Sequence, residues 1–269
     1  MEKKKINLLA IQMESAIADL RKNIEKAESL IEKSLRKTSA DFVFLPEVWT
    51  CGWDCSSFSQ CAEDIENSKS ISMLKRIAKK HKTNIIGGSF IQKKGDGKLA
   101  NTCPVINKFG EIITTYEKNH LFSYYGCDEG AYITAGKNPV MVELDGVKLG
   151  LTICYDIRFP EIYRAYRKAG ADILVNIDGD NQYNANEIEK LIEPIIKQNI
   201  DITIGARPIN KIKEFSIFKK ILQKFSQKII KTLFFWQNVW YHNNMEILGI
   251  RRYVLWNLFP FTIKATILW

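Results

Sequence analysis

The apolar run Phe42-Val43-Phe44-Leu45 has the length of a buried strand, is stopped by Pro46, and stands between two stretches whose apolar residues recur at helical spacing. The first stretch, Asp19 to Arg36, carries Leu20, Ile24, Ala27, Leu30, Ile31 and Leu35, and the second runs from Ser70 to His81. An apolar strand over residues 5 to 13 precedes them, so the order is strand, helix, strand, helix, which commits the chain to the α/β class. Open α/β sheets place their chemistry at the carboxyl ends of strands, and Glu47 falls there. A strand at Asn84 to Ile91, a "KKGDGK" hairpin turn and a strand pair flanking "NKFGE" follow. Residues 139 to 155 read as another hairpin, "PVMVEL", the turn "DG", then "VKLGLTICY". Its second strand ends at Cys154, and Pro160 sits where a helix begins. That helix stops at Gly170 before the buried strand "ADILVNID".

Composition removes other classes. The chain has 269 residues, 46% of them hydrophobic, which excludes disorder, collagen and a tiny disulfide scaffold. The six cysteines all lie between residues 51 and 154, and no secretory leader is expected at the start "MEKKKINLLAIQM". Free thiols in a reducing cytoplasm follow as the expectation. Positive charge gathers late: residues 208 to 269 hold ten Lys/Arg against two Asp/Glu, a surplus of eight out of nine for the whole chain. Four of the six tryptophans, Trp236, Trp240, Trp256 and Trp269, crowd into the same end.

A cysteine between a strand and a helix N-terminus has a reason to react, since the helix dipole and free N–H groups lower its thiol pKa. Cys154 is such a residue. Taken singly, Cys154 reads first as an inert buried thiol and Lys118 as a solvated lysine, while Glu47 reads also as a helix cap or a surface ion-pair partner. Taken together, "FLPEVWTCGW", "GEIITTYEKNHLF" and "GLTICYDIRFPEIYRAYRKAGADILV" resemble, in order and spacing, the three signature segments of the nitrilase superfamily of carbon–nitrogen hydrolases. The opening "LLAIQMESAIADLRKNIEKAESLIEKS" is similar to that family's first strand and helix. The resemblance implies a Glu47-Lys118-Cys154 catalytic triad, with Glu129 as the second glutamate that orients Lys118 or substrate; a hairpin-edge charge is the plainer reading of Glu129. The "CYDIRFPE" form resembles the amidase branches acting on small amides. Its implied mechanism needs no cofactor: Cys154 attacks an amide carbonyl, Glu47 moves the proton, and Lys118 holds the oxyanion. Tyr155 and Arg158 are candidates for a substrate carboxylate, although an ion pair from Arg158 to Glu161 is the preferred reading.

Other clusters carry less. His81, His120 and His242 stand far apart, and Cys51, Cys55 and Cys61 lack a second pair or a histidine at zinc-ligand spacing.

After residue 175 the nitrilase pattern does not continue. The segment "ADILVNIDGDNQYNANEIEKLIEPIIKQNIDITIGARPINKIKEFSIFKKILQK" resembles the middle of a family 2 glycosyltransferase, in which a strand ends in an acidic pair, here Asp178 and Asp180. The resemblance implies a nucleotide-sugar site with Mg²⁺ or Mn²⁺ on those two aspartates; an Asp/Gly turn capping the next helix is the alternative. Fold and domains are therefore expected as a truncated α-β-β-α sandwich over 1–175, a Rossmann-like βαβ glycosyltransferase-like fragment over 176–231, and an unassigned basic, aromatic tail over 232–269. With the join inside a strand, near residues 170 to 176, an inactive chimera is a third reading beside amidase and glycosyltransferase. Phe215, Phe218, Leu222, Phe225 and Ile229 fall on one helical face opposite lysines, so 211–231 suits either a membrane surface or a packed core. A small amide is the expected partner, nucleic acid is not, and homo-oligomerisation stays open.

Overall fold

The computed structural model describes residues 6–124 and 127–178, together with the backbone of five strands beyond residue 201. Two compact units divide the chain, Met1–Asn181 and Gln182–Trp269.

In the first unit β1 (Leu8–Ala10), α1 (Leu20–Leu35), β2 (Phe42–Phe44), α2 (Lys69–His81) and β3 (Asn84–Ile86) build a parallel array with order β1-β2-β3. Both helices begin where a side chain caps their free N–H groups, Asp19 accepting from the Lys22 N–H and Ser68 from the Ile71 N–H. Their apolar stripes face one core: Ala27 and Ile31 of α1 and Ile71, Leu74 and Ile77 of α2 are buried with Val43 and Ile85. Each such aliphatic side chain contributes roughly 1.5–3 kcal/mol by leaving water. Lys80 ties the helices together through Glu32 at 2.8 Å.

The strand expected at Asn84 to Ile91 is broken in two. After β3 the backbone turns through Gly87 and Gly88 and resumes as β4 (Phe90–Lys93). Gly88 has φ +64°, and a Cβ there would run into the Pro46 carbonyl, so the position requires glycine. The break lets β5 (Leu99–Ile106) pair antiparallel with β3 at one end and β4 at the other, while β6 (Ile112–Glu117) pairs along its second edge.

A short hairpin, β7 (Ser123–Tyr124) and β8 (Cys127–Asp128), leads to a second sheet. There β9 (Val140–Leu144) and β10 (Val147–Ile153) form the expected hairpin, with Asp145 and Gly146 both at positive φ as a tight two-residue turn requires. The strand β11 (Ile173–Ile177) joins β10 in parallel register. Between them α3 (Pro160–Lys168) starts on its proline and ends before Gly170, as anticipated. It packs closely on β10: the Tyr166 hydroxyl donates to the Leu151 carbonyl at 2.7 Å, and a Cβ on Gly150 would lie 2.6 Å from the Tyr166 ring. The result is a mixed α/β fold, with α1 and α2 on the first sheet and α3 on the second.

In the second unit β12 (Ile202–Gly205) pairs in parallel with β13 (Val239–His242) and antiparallel with β14 (Leu248–Ile250). The strand β15 (Tyr253–Leu255) pairs with β14, and β16 (Lys264–Ile267) is the last strand. The predicted amphipathic face over 211–231 and most of the 232–269 tail lie outside the described residues. Among the described residues no helix is long and apolar enough to cross a membrane.

Candidate active site

Glu47 leaves β2 through a segment locked on three sides. The Trp49 indole N–H donates to the Gly87 carbonyl at 2.8 Å, the Val48 N–H donates to the Ser89 hydroxyl at 2.9 Å, and the Ser89 N–H donates to the Pro46 carbonyl at 3.0 Å. These bonds hold Val48 at φ +44°, a strained value for a β-branched residue, directly beside the carboxylate. Lys118 follows β6, and its own N–H donates to the Asn101 carbonyl of β5 at 2.9 Å. Glu129 opens a short 3-10 turn after β8.

The three meet in the interior. The Lys118 ammonium lies 2.9 Å from Glu47 Oε1 and 2.8 Å from Glu129 Oε2, and all three residues are at most 4% exposed. The Asn101 amide donates to the same Glu47 oxygen at 2.9 Å, and the Phe122 N–H donates to Glu129 Oε2 at 2.6 Å. Trp53 places its ring 5.2 Å from the ammonium. Glu129 is thus no hairpin-edge charge; it is a wholly buried partner of the lysine.

Cys154 is brought to the same place. Its sulfur and one carboxylate oxygen each of Glu47 and Asp178 all lie within 4.8 Å of one another. The strand β10 stops at Ile153, one residue short of expectation, and Cys154 opens a 3-10 turn over Cys154–Arg158 with φ +42°. A single residue in the left-handed region turns the side chain out of the sheet at a cost of order 1–3 kcal/mol. Asp156 holds that turn. Its buried carboxylate accepts from the Ile153 N–H at 2.9 Å, the Tyr116 hydroxyl at 2.6 Å, the His120 N–H at 2.9 Å and His120 Nδ1 at 2.7 Å. His120 in turn stacks on Phe159, with ring centroids 3.5 Å apart.

Electrostatics correct one sequence expectation. The helix that was to lower the Cys154 thiol pKa begins only at Pro160, so its dipole does not act at the sulfur. Burial pushes the thiol well above the ordinary cysteine value, Asp178 and Glu47 push it further, and Lys118 only partly opposes them. Burial likewise raises the Glu47 carboxyl to about 7, with Lys118 drawing it down and Glu129 pushing it up. For Lys118 burial favours the neutral amine, but Glu47, Glu129 and Cys154 outweigh it and hold the ammonium pKa well above the usual lysine value. The pattern is a neutral thiol beside a carboxyl poised near neutral pH and a permanently charged amine.

A second correction concerns Glu161, which pairs with Arg164 at 3.0 Å rather than with Arg158. Tyr155 meets Phe122 and Phe159 edge to face. Cys51, Cys55 and Cys61 sit in an apolar cluster with Val48, Phe58 and Ile91, and none of the three is in a disulfide. Of the acidic pair assigned to a transferase metal, Asp178 faces the thiol and Asp180 lies outside the described residues. A thiol and two carboxylates are not the all-oxygen set that Mg²⁺ or Mn²⁺ takes, and Lys118 already holds the Glu47 oxygen. The Glu47-Cys154-Asp178 cluster does not suit that metal, while of the Asp178-Asp180 pair assigned to it only Asp178 is among the described residues.

Sequence reasoning passed over Asn101, Asp156 and the place of Asp178 beside the sulfur. Asn101 had a signal, a polar amide inside a strand whose other residues are mostly apolar, and Asp156 lies within the quoted "CYDIRFPE". Because Asp156 acts by fixing the turn, Asp156→Asn is expected to lower kcat for any reaction in which the Cys154 thiol takes part by about 10- to 100-fold while KM changes little. A purely structural lesion would lower the folded fraction and leave kcat per folded molecule unchanged, which titration of active protein distinguishes.

A two-sheet α/β fold thus brings a thiol, a carboxyl and a lysine ammonium together in its interior. The chain belongs to the carbon–nitrogen hydrolase family, whose model matches residues 9–199. It is 39% identical over 170 residues to the 2-oxoglutaramate amidase of Bacillus subtilis (strain 168), covering 63% of each chain. It is 37% identical over 179 residues to the chloroplastic omega-amidase of Arabidopsis thaliana, covering 63% of this chain and 48% of that one. The chain thus spans about half to two thirds of these relatives' length. A carbon–nitrogen hydrolase from Helicobacter pylori G27 shares the fold, with a TM-score of 0.61 at 23% identity over 90% of this chain and 74% of that one. A weaker match to glycosyl transferase family 2 covers residues 162–259.

Proposed function

We propose that the chain hydrolyses small amides, releasing ammonia through a thioester on Cys154. The observation that carries this reading is the Lys118 ammonium bridging Glu47 and Glu129 at 2.9 and 2.8 Å, with the Cys154 sulfur within 4.8 Å of the Glu47 carboxylate. Glu47 is the general base. It takes the thiol proton as the sulfur attacks the carbonyl carbon, then passes that proton to nitrogen as the C–N bond breaks and ammonia leaves. The same carboxylate next takes a proton from water, whose oxygen attacks the thioester; the carboxylic acid departs and the thiol is restored. Lys118 and the Tyr155 N–H, the first backbone donor after the sulfur, stabilise the oxyanion, a contribution of roughly 3–4 kcal/mol for each donor. Glu129 positions the lysine. Thiol, base and cation all come from the chain, so this reaction needs no metal or organic cofactor. The 2-oxoglutaramate amidase and the omega-amidase among the relatives support a small amide, and buried cysteines outside any disulfide support a reducing compartment such as the cytoplasm.

Incubating the full chain with short neutral amides tests the reading. Ammonia release, together with one acyl group on the Cys154 peptide after acid quenching, is the expected result. Folded protein that shows neither overturns it.

The pH dependence follows from the Glu47 carboxyl, raised to about 7 by burial. A base works only when deprotonated, so kcat/KM is expected to rise with pH along a limb centred near 7 and to level off above it. That midpoint belongs to the coupled Glu47-Lys118-Glu129 cluster rather than to one side chain. The limb disappears in Glu47→Gln; a limb that persists there assigns the base elsewhere.

One observation favours a second reading. The two family matches overlap over residues 162–199, a span that contains the join inferred at residues 170 to 176. We infer that the chain unites a hydrolase-like part and a glycosyltransferase-like part there, with the domains 1–175, 176–231 and 232–269. A single unbroken sequencing read across that join in the encoding DNA tests it, and a stop or frame change within the read rejects it.

A further inference from the structure

We infer that Trp53 is a positioning residue of this site: its ring keeps water from the Lys118 ammonium and so leaves one ammonium N–H for the substrate oxygen. The inference rests on the amidase reading and adds to it the residue that prepares the oxyanion donor.

An ammonium has three N–H donors. In Lys118 two of them are spent, on Glu47 Oε1 at 2.9 Å and on Glu129 Oε2 at 2.8 Å. The remaining partner of the ammonium among the described residues is the ring of Trp53, whose centroid lies 5.2 Å away. A ring attracts the cation but takes no full hydrogen bond from it, and the Lys118 side chain is 0% exposed, so the third donor is neither hydrated nor committed. A donor held dry in this way stabilises a developing oxyanion far more than one in water. The chain around Trp53 fixes the ring. Gly52, at φ +75°, turns the backbone just before it, and the Gly52 N–H donates to the Val48 carbonyl at 2.8 Å. The ring meets Phe58 edge to face at 6.1 Å and packs on the cluster of Val48, Cys51 and Ile91. Trp53 itself is only half-buried, so the indole is the outer neighbour of a fully enclosed cation.

Two measurements on the full chain test the inference, one of them independent of turnover. In the first, lysine side chains are labelled with nitrogen-15 and proton exchange of the Lys118 ammonium with water is read by NMR, its resonance assigned by its absence in Lys118→Arg. These protons are expected to exchange at least about tenfold more slowly than those of exposed lysines. Trp53→Ala is expected to remove most of that protection and Trp53→Phe to keep it. A wild-type ammonium that exchanges as fast as the exposed lysines overturns the inference without recourse to any variant, as does protection that survives Trp53→Ala.

In the second, kcat/KM for butyramide is followed against pH. The titratable groups at the Glu47 carboxylate among the described residues are Lys118, Glu129, Cys154 and Asp178. All four remain in Trp53→Ala, so a moved limb reads the change of solvent. Water lowers the pKa of a carboxyl that burial has raised. The limb near 7 is therefore expected about one unit lower in Trp53→Ala, with kcat down by about 10- to 100-fold and both restored in Trp53→Phe. A structural lesion lowers only the folded fraction, so hydrolysis with an unmoved limb overturns the inference and upholds the amidase reading. Protection that is lost in Trp53→Ala, in a chain that hydrolyses no amide, keeps the shield and rejects the amidase reading instead.

Discussion

Cys154→Ala is expected to lose about 10⁴- to 10⁶-fold in kcat for a short neutral amide, the scale seen when a hydrolase loses its nucleophile. No other described thiol can stand in. Cys51, Cys55, Cys61 and Cys103 are buried and at least two of them are pushed well above the ordinary cysteine pKa, Cys51 chiefly by burial and Cys103 by burial. Cys154 is raised as well, so what separates it is not resting acidity but the company it keeps: a carboxyl near pKa 7 to take its proton and an ammonium to receive the charge that forms. The fold should tolerate the change, because Cys154 is partly exposed and the turn is held by Asp156 rather than by the sulfur. Alanine at φ +42° is no worse placed than cysteine. Steady ammonia release and the appearance of an acyl adduct are the measurements; a variant retaining a tenth of wild-type activity would remove Cys154 from the chemistry.

Lys118→Met is expected to destabilise the first unit by about 3–5 kcal/mol, because it leaves carboxylates buried without their cation. Glu47 would keep only the Asn101 amide at 2.9 Å, and Glu129 only the Phe122 N–H at 2.6 Å, while Glu129 Oε1 already has no hydrogen-bond partner. The shape of the methionine is close to that of the lysine stem, so lost packing contributes little. The sign of the pH dependence follows. Without the ammonium, the folded-state pKa of Glu47 rises further above its unfolded value, and a carboxyl raised in this way weakens the fold as pH climbs from the unfolded value toward the folded one. The loss should therefore be larger at pH 8 than at pH 5. Hydrogen exchange of the β5 and β6 amides in the full chain reads the opening free energy, and Glu129→Gln added to Lys118→Met should recover part of it. A loss below about 1 kcal/mol at pH 8 would show the cluster to be solvated in solution.

Much of the site was legible in the sequence because each of its motifs lies beside an element with a strong local signature. Pro46 ends an apolar strand and so announces Glu47; the "DG" turn sets the register of β9 and β10 and so delivers Cys154; Pro160 and Gly170 bracket α3. The break between β3 and β4 was not legible. Gly87 and Gly88 are compatible with a continuous strand, and only the approach of the Pro46 carbonyl to Gly88 forces the bend. The thiol was misjudged for a related reason. Proximity along the chain to a helix suggested a dipole at the sulfur, but Cys154 opens a 3-10 turn that runs to Arg158, and burial with two neighbouring carboxylates decides the pKa instead.

The sequence by itself determined the α/β class, the order of elements, the family, and the residue types that would have to meet. Those follow from periodicity, turn chemistry and motif spacing, which are local properties of the chain. Only the tertiary structure decided that Lys118 lies between two glutamates, that Asp156 ties the Cys154 turn to Tyr116 and His120, and that Asp178 stands against the sulfur. Glu47 and Lys118 are 71 positions apart, and the bond between them exists because β3 and β5 join their two strands, β2 and β6, in one sheet. A desolvated charge takes its properties from whatever the fold places within a few ångströms, and no spacing in the sequence records that distance.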